Sequence, residues 1–251
     1  MNEPSLEQRE ALRGAPSRPH VMYQDWHELL FVHYTLDPEL VQSLLPPALT
    51  VDTFPNAKGE TRAWIGAVPF RMRNVRPRFV PPLPGLSAFL ETNLRTYVHQ
   101  RGRGPAVYFF SLDAANAIAC RIARETFNLP YHHAQMSSQR RGERFVYHST
   151  RKSDGASLRC EFSVGDALGA SEPGSLAYFL AERYLLVTPR RDGRLGWGRV
   201  HHQPYELRAA TLHDYDETLS RAAGLPQREP EHLCYCEGVA TRVWPLRDTP
   251  D

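Results

Sequence analysis

Lysine is nearly missing from this sequence: among 30 basic residues only Lys58 and Lys152 are amines, and every other one is arginine. Arginine stays protonated, so amine nucleophiles are almost excluded from the chain's chemistry. Charge of one sign is also lacking, because 30 basic against 28 acidic residues leave only +2. That balance argues against nucleic acid or an anionic membrane surface as the main partner. No run reaches the roughly 18 uninterrupted apolar residues of a membrane span, and residues 1–20 contain no apolar core for a signal peptide. Four cysteines, at positions 120, 160, 234 and 236, are too scattered for a disulfide framework. The expectation is a cytoplasmic protein. G-x-S-x-G, G-x-x-x-x-G-K-[ST] and G-x-G-x-x-G are all absent, so serine hydrolase, nucleotide-phosphate and dinucleotide readings have no support.

Metal ligands are no better supplied. In His132-His133 and His201-His202, neighbouring side chains on a strand point to opposite faces, so each pair offers one ligand to a shared ion. His27 and His33 share strand parity, yet six residues separate them by about 20 Å. Cys234-x-Cys236 lacks a second ligand pair at zinc-site spacing. Neither a metal nor another cofactor is expected.

What the sequence does have is a 41% hydrophobic fraction spread over 251 residues, enough for one sizeable core. Residues 1–19 read as a flexible arm, 20–246 as one domain and 247–251 as a tail. Trp26–Tyr34 is aromatic and β-rich. Asp37-Pro38 then opens a short helix that Pro46-Pro47 ends. Strands follow at about 61–72, 87–99, 105–112, 133–140, 143–151, 157–164, 183–190, 194–202, 205–212 and 238–245. Asp154-Gly155, Asp192-Gly193 and, less strongly, Arg141-Gly142 mark hairpins, which implies a largely antiparallel sheet. Two helices interrupt it, one over 114–127 capped by Asp113 or Ser111 and stopped at Asn128, the other over 175–183. So many strands with so few helices point to a mostly β (α+β) fold, an antiparallel twisted barrel or cone whose closure removes exposed edges.

The segment Phe89-Leu90-Glu91-Thr92-Asn93-Leu94-Arg95-Thr96-Tyr97-Val98 carries the chemistry. Strand alternation puts Phe89, Glu91, Asn93, Arg95 and Tyr97 on one face and Leu90, Leu94 and Val98 on the other. A carboxylate, an amide, a guanidinium and a phenol in a row suit either a solvated face or a pocket; the large rings of Phe89 and Tyr97 favour the pocket.

F-L-E-T-N-L-R-T-Y-V, V-Y-F-F-S-L-D-A, A-R-E-T-F-N-L-P-Y-H-H-A, A-E-R-Y and the closing V-W-P-L together resemble the bacterial YqjF-like family of uncharacterised conserved proteins, within the acetoacetate decarboxylase-like superfamily. The resemblance spans about residues 24–246. It implies a twisted antiparallel barrel or cone, flanked by short helices and enclosing a pocket. In the decarboxylases, an aromatic-x-Glu strand and a Gly-Arg-Glu helix end lead into a Pro-Lys-Lys turn whose first lysine forms a Schiff base. Here Phe89 and Glu91 match the strand, Ala123-Arg124-Glu125 stands at the helix end, and the turn reads Pro130-Tyr131-His132. The resemblance thus puts Tyr131 at the Schiff-base position. An imine needs a neutral primary amine, and Lys58 and Lys152, both in turn-like segments, are expected to be solvated.

The resulting expectation is a small-molecule pocket protein with Glu91 and Tyr131 as catalytic candidates. Phe89, Asn93, Arg95, Tyr97, Arg124, Arg183 and Tyr184 are ligand-binding candidates. Arg124 with Glu125 can equally form a helix-end ion pair, and Glu182-Arg183-Tyr184 a buried structural cluster. Two functions stay open: a Schiff-base-independent lyase, hydratase or tautomerase acting on an anionic carbonyl compound, and a non-catalytic binder or sensor. The expected partner is a small molecule, not nucleic acid or membrane, and a homo-oligomer is left open.

Overall fold

The computed structural model describes residues 3–250. Its elements run α1 (Leu6–Ala11), β1 (Met22–Leu36), α2 (Pro38–Ser43), β2 (Thr50–Val51), β3 (Thr53–Pro55), β4 (Thr61–Pro77), β5 (Phe89–Gln100), β6 (Arg103–Ala114), α3 (Ala117–Phe127), β7 (Tyr131–Arg141), β8 (Arg144–Arg151), β9 (Ser157–Ala170), α4 (Leu176–Ala181), β10 (Leu185–Pro189), β11 (Leu195–His201), β12 (Glu206–Glu217), α5 (Leu219–Ala222) and β13 (His232–Val243). The fold is mostly β, as expected. The short β2 and β3 and the four-residue α5 carry no sequence signal strong enough to be anticipated.

The strands form one cone-like sheet whose pairings close two rings. The larger passes β6-β7-β8-β9-β12-β13-β1-β4-β5 and returns to β6; the smaller passes β11-β10-β6-β5-β4-β1-β13 and returns to β11. Five strands, β1, β4, β5, β6 and β13, therefore serve both rings with opposite faces. Pairing is antiparallel except at β6–β7 and β6–β10. The β6–β7 exception follows from α3, a crossover that returns the chain in the same direction.

The larger ring is packed solid. Val32, Leu94, Leu158, Phe162 and Tyr235, from four different strands, are nearly or fully inaccessible and share one core. Their strand neighbours Phe31, Cys234 and Cys236 face the other way, into a second cluster with Leu29, Phe70 and Met72.

Several expectations are corrected. The stretch 3–19 is tied down rather than loose. Ser5 and Gln8 form a capping box on α1, Leu12 is buried, and Arg9 makes a two-pronged ion pair with Asp52 at 2.7 and 2.8 Å. Residues 1 and 2 of the arm lie outside the described residues. Of the tail, residues 247–250 are held as well, Asp248 pairing with Arg190 at 2.9 Å and with Arg194 at 3.1 Å, and residue 251 lies outside the described residues. Helix α3 is capped by Asn116, whose Oδ1 accepts from the amides of Ile118 and Ala119, both at 3.1 Å. The cap lies past Asp113 and Ser111 because the β5–β6 ladder runs on to pair Glu91 with Ala114. The stop does fall at Asn128, in the left-handed conformation. His27 and His33 do not share a face: β1 carries an extra residue relative to β4 between His27 and Val32, with Glu28 at φ 54°. That bulge reverses the side-chain alternation.

Candidate functional site

The smaller ring is hollow. A cavity of about 380 Å³ lies inside it, roofed by α3 and by the segment from Pro77 to Leu86. Strand β5 supplies Phe89, Glu91, Asn93 and Arg95 to its wall, so the alternation read from the sequence holds at these four positions. Leu90, Leu94 and Val98 turn into the solid core on the opposite face.

Glu91 is 2% exposed. Its Oε2 accepts a hydrogen bond of 3.0 Å from the Tyr131 hydroxyl, and Tyr131 also lines the cavity. Burial raises the Glu91 pKa to about 8; the Tyr131 hydrogen bond only partly offsets it, and Asp113 adds a smaller upward push. At neutral pH the group is therefore mainly a carboxylic acid. Behind it, Asp113 is paired with Arg151 at 3.0 Å, yet burial still lifts Asp113 to about 6. From the solid-core side Tyr147 donates to the Glu91 carbonyl at 2.9 Å and fixes the strand there.

Arg95 lies deeper. One Nη donates to the Leu180 carbonyl at 3.2 Å, and the guanidinium stands 5.5 Å from the Phe31 ring centre and 5.8 Å from that of Tyr97. No carboxylate among the described residues pairs with it. The imidazoles that feel its charge are themselves uncharged near neutrality. Burial takes His33 well below its ordinary range, His232 and Arg95 adding to the effect, and burial lowers His202 to about 4. Gly66, which stands between His33 and Arg95 in the sheet, leaves room for both: a Cβ there would lie 3.0 Å from the His33 ring and 3.4 Å from Arg95 Cγ.

The other predicted residues are distributed differently. Arg183 reaches the cavity wall and is anchored by Asp52 at 2.8 Å and by the Phe179 carbonyl at 2.7 Å. Its partner is thus Asp52 and not its neighbour Glu182. Burial raises the Asp52 carboxyl, but Arg183 and Arg9 outweigh it and hold the group below the usual range. Tyr97 is fully buried just outside the cavity, hydrogen-bonded to His33 Nε2 and to the Leu180 carbonyl, both at 2.8 Å. Tyr184 is also off the wall, its hydroxyl bonded to Glu182, whose other oxygen accepts from the Tyr205 amide at 3.0 Å. Arg124 is exposed and outside the cavity; it donates to the Tyr131 carbonyl at 3.1 Å, while Glu125 pairs with Arg121 at 2.9 Å. The expected Arg124–Glu125 pair is absent because positions four apart meet on a helix surface and adjacent ones do not.

Lys58 and Lys152 are both exposed, and neither lines the cavity. Among the described residues no group of three or more His, Cys, Asp or Glu is arranged to hold a metal ion, and no helix is long and apolar enough to cross a membrane. Gly66, Asp113, Arg151 and Tyr147 support the site without having been singled out for it. Only strand register could have revealed them, since each meets its partner across the sheet.

The chain thus has the fold of acetoacetate decarboxylase-like proteins. The Legionella pneumophila acetoacetate decarboxylase superposes with a TM-score of 0.57 at 14% identity, covering 96% of this chain and 93% of that one. The enduracididine biosynthesis enzyme MppR superposes with a TM-score of 0.60 at 15% identity, over 92% and 90% of the two chains. At the level of sequence, a family model described as an uncharacterised conserved protein, DUF2071, matches residues 23–240, and the chain belongs to that family. Consistent with this, it is 38% identical over 237 residues to the uncharacterised protein YqjF of Bacillus subtilis (strain 168), covering 93% of this chain and 95% of that protein.

Proposed function

We propose that the cavity binds an anionic, carbonyl-bearing small molecule and that Glu91 moves a proton on it without a Schiff base, as a lyase, hydratase or tautomerase would require. The observation that carries the reading is Arg95, a buried guanidinium in a largely apolar cavity with no carboxylate partner among the described residues. Burying such a charge is costly unless an anion meets it, and a planar guanidinium suits a carboxylate or an enolate. Glu91, with a pKa of about 8, supplies the proton chemistry. As an acid it can protonate a carbonyl oxygen; once ionised it can accept the proton of a neighbouring carbon. Tyr131, bonded to Glu91, is placed to donate to a developing oxyanion.

Imine chemistry is set aside because, by the motif resemblance, Tyr131 takes the place of the decarboxylases' lysine, and because both lysines of this chain are exposed. MppR is described with a condensation product of pyruvate and imidazole 4-carboxaldehyde, which supports a carbonyl-derived anion as something this fold can enclose.

Glu91→Gln decides between an enzyme and a binder, once a ligand has been found by screening 2-oxo and 3-oxo acids for thermal protection. The expected result is a fall in turnover of about 10²–10⁴-fold with ligand affinity nearly kept. Thermal protection of the native protein with no product from any protecting acid supports a non-catalytic sensor instead.

A further inference from the structure

We infer that the ligand of this cavity is an amphipathic acid, with its anionic head at Arg95 and an apolar body of several carbons running past Glu91 to the mouth beneath α3. The inference rests on the anion reading above and extends it to the rest of the molecule bound. The cavity has a polarity gradient along its depth. Its inner end carries Asn93, Arg95 and Arg183, all buried, and Asn93 Oδ1, Arg95 Nε and Arg183 Nη2 find no hydrogen-bond partner among the described residues. Unpaired polar atoms at that depth mark the place for a polar group.

Between these atoms and solvent the wall is apolar apart from Glu91 and Tyr131, with Leu29, Val68, Phe70 and Met72 on the strands. At the mouth Ile118 and Ile122, one turn apart on α3, face the cavity while 55% and 51% exposed, opposite Leu83 and Val80 at 47% and 37%. A surface helix normally buries its apolar stripe against protein. Here Cys120 is the buried residue of α3, and its isoleucines sit over open space. A ligand of three or four carbons would fill the inner end and leave this corridor bare. Arg76 also reaches the mouth, but it is stacked on Tyr23 at 4.2 Å and bonded to Asn74 at 2.9 Å, so it is not a second receptor for the head. The cavity volume of about 380 Å³ lies in the range of pockets that enclose ligands larger than a simple keto acid.

The test is calorimetric titration of the full chain with butanoate, hexanoate, octanoate and decanoate, and with octan-1-ol. The expected result is affinity rising about fourfold per added methylene until the corridor is full. Octanoate should bind at least about tenfold tighter than octan-1-ol, a contrast that needs no variant to fold. Ile122→Glu, on an exposed helix face, should flatten the chain-length slope, and Arg95→Met should weaken all the acids by a common factor. Affinity independent of chain length, with octanoate still preferred over octanol, overturns this inference and spares the anion reading. Equal binding of octanoate and octanol with the slope intact overturns the anion reading, and binding by none of the acids overturns both.

Discussion

The two rings of the sheet share strands but not character. On β5, Leu90, Leu94 and Val98 enter an interior filled from five or more strands, while Phe89, Glu91, Asn93 and Arg95 enter one left open. On the solid side, Leu94 is inaccessible and its surroundings are close-packed, so what it contributes is stability. On the hollow side, a carboxylic acid and a guanidinium are buried without full compensation, which costs stability and is the usual mark of a site kept for function. One residue of register therefore separates the two roles.

The largest effect that tests this contrast is Leu94→Ala, expected to cost about 2–5 kcal/mol in denaturant unfolding while leaving the affinity for any cavity ligand nearly unchanged. A variant of normal stability with altered ligand binding would break the comparison. A smaller, pH-dependent effect comes from Glu91. Its pKa of about 8 in the folded protein stands above the ordinary value of 4.5, so the native state holds a proton that the unfolded chain releases. The stability this group adds is complete below about pH 4.5 and is lost as the pH rises through about 8. Glu91→Gln should flatten that part of the stability profile, measured by urea midpoints between about pH 5 and about pH 9. The smallest expected effect is none at all: borohydride added with acetoacetate should leave the intact mass unchanged, and a reduced adduct on Lys58 or Lys152 would bring imine chemistry back.

Much of the architecture was legible because its signals are local. Asn128 before Leu129-Pro130 stops α3, Asp37-Pro38 starts α2, and Asp154-Gly155 turns β8 into β9. Alternation on β5 placed Phe89, Glu91, Asn93 and Arg95 correctly because no bulge within β5 disturbs their facing toward the cavity. Where the alternation is interrupted, as at Glu28, parity misled, and His27 and His33 separated. Tyr97 keeps its parity but lies beyond the inner end of the cavity, where Phe179 and Leu180 close over it. Arg124 was misplaced because a family motif fixes a helix end without fixing which of its side chains turns inward. The ion pair of Arg9 with Asp52 was out of reach, since it joins an N-terminal helix to a residue 43 positions away. Ring closure through β1–β13 and β11–β13 likewise depends on pairings that no local pattern announces.

The proposed function requires a proton carrier on the hollow side, poised near neutrality. Its most direct test is a carbon-13 NMR titration of the Glu91 side-chain carboxyl in the ligand-free protein, assigned with Glu91→Gln. A midpoint near 8 is the predicted result. A midpoint near the ordinary 4.5 would contradict it, since the carboxyl would then be ionised and solvated throughout the neutral range.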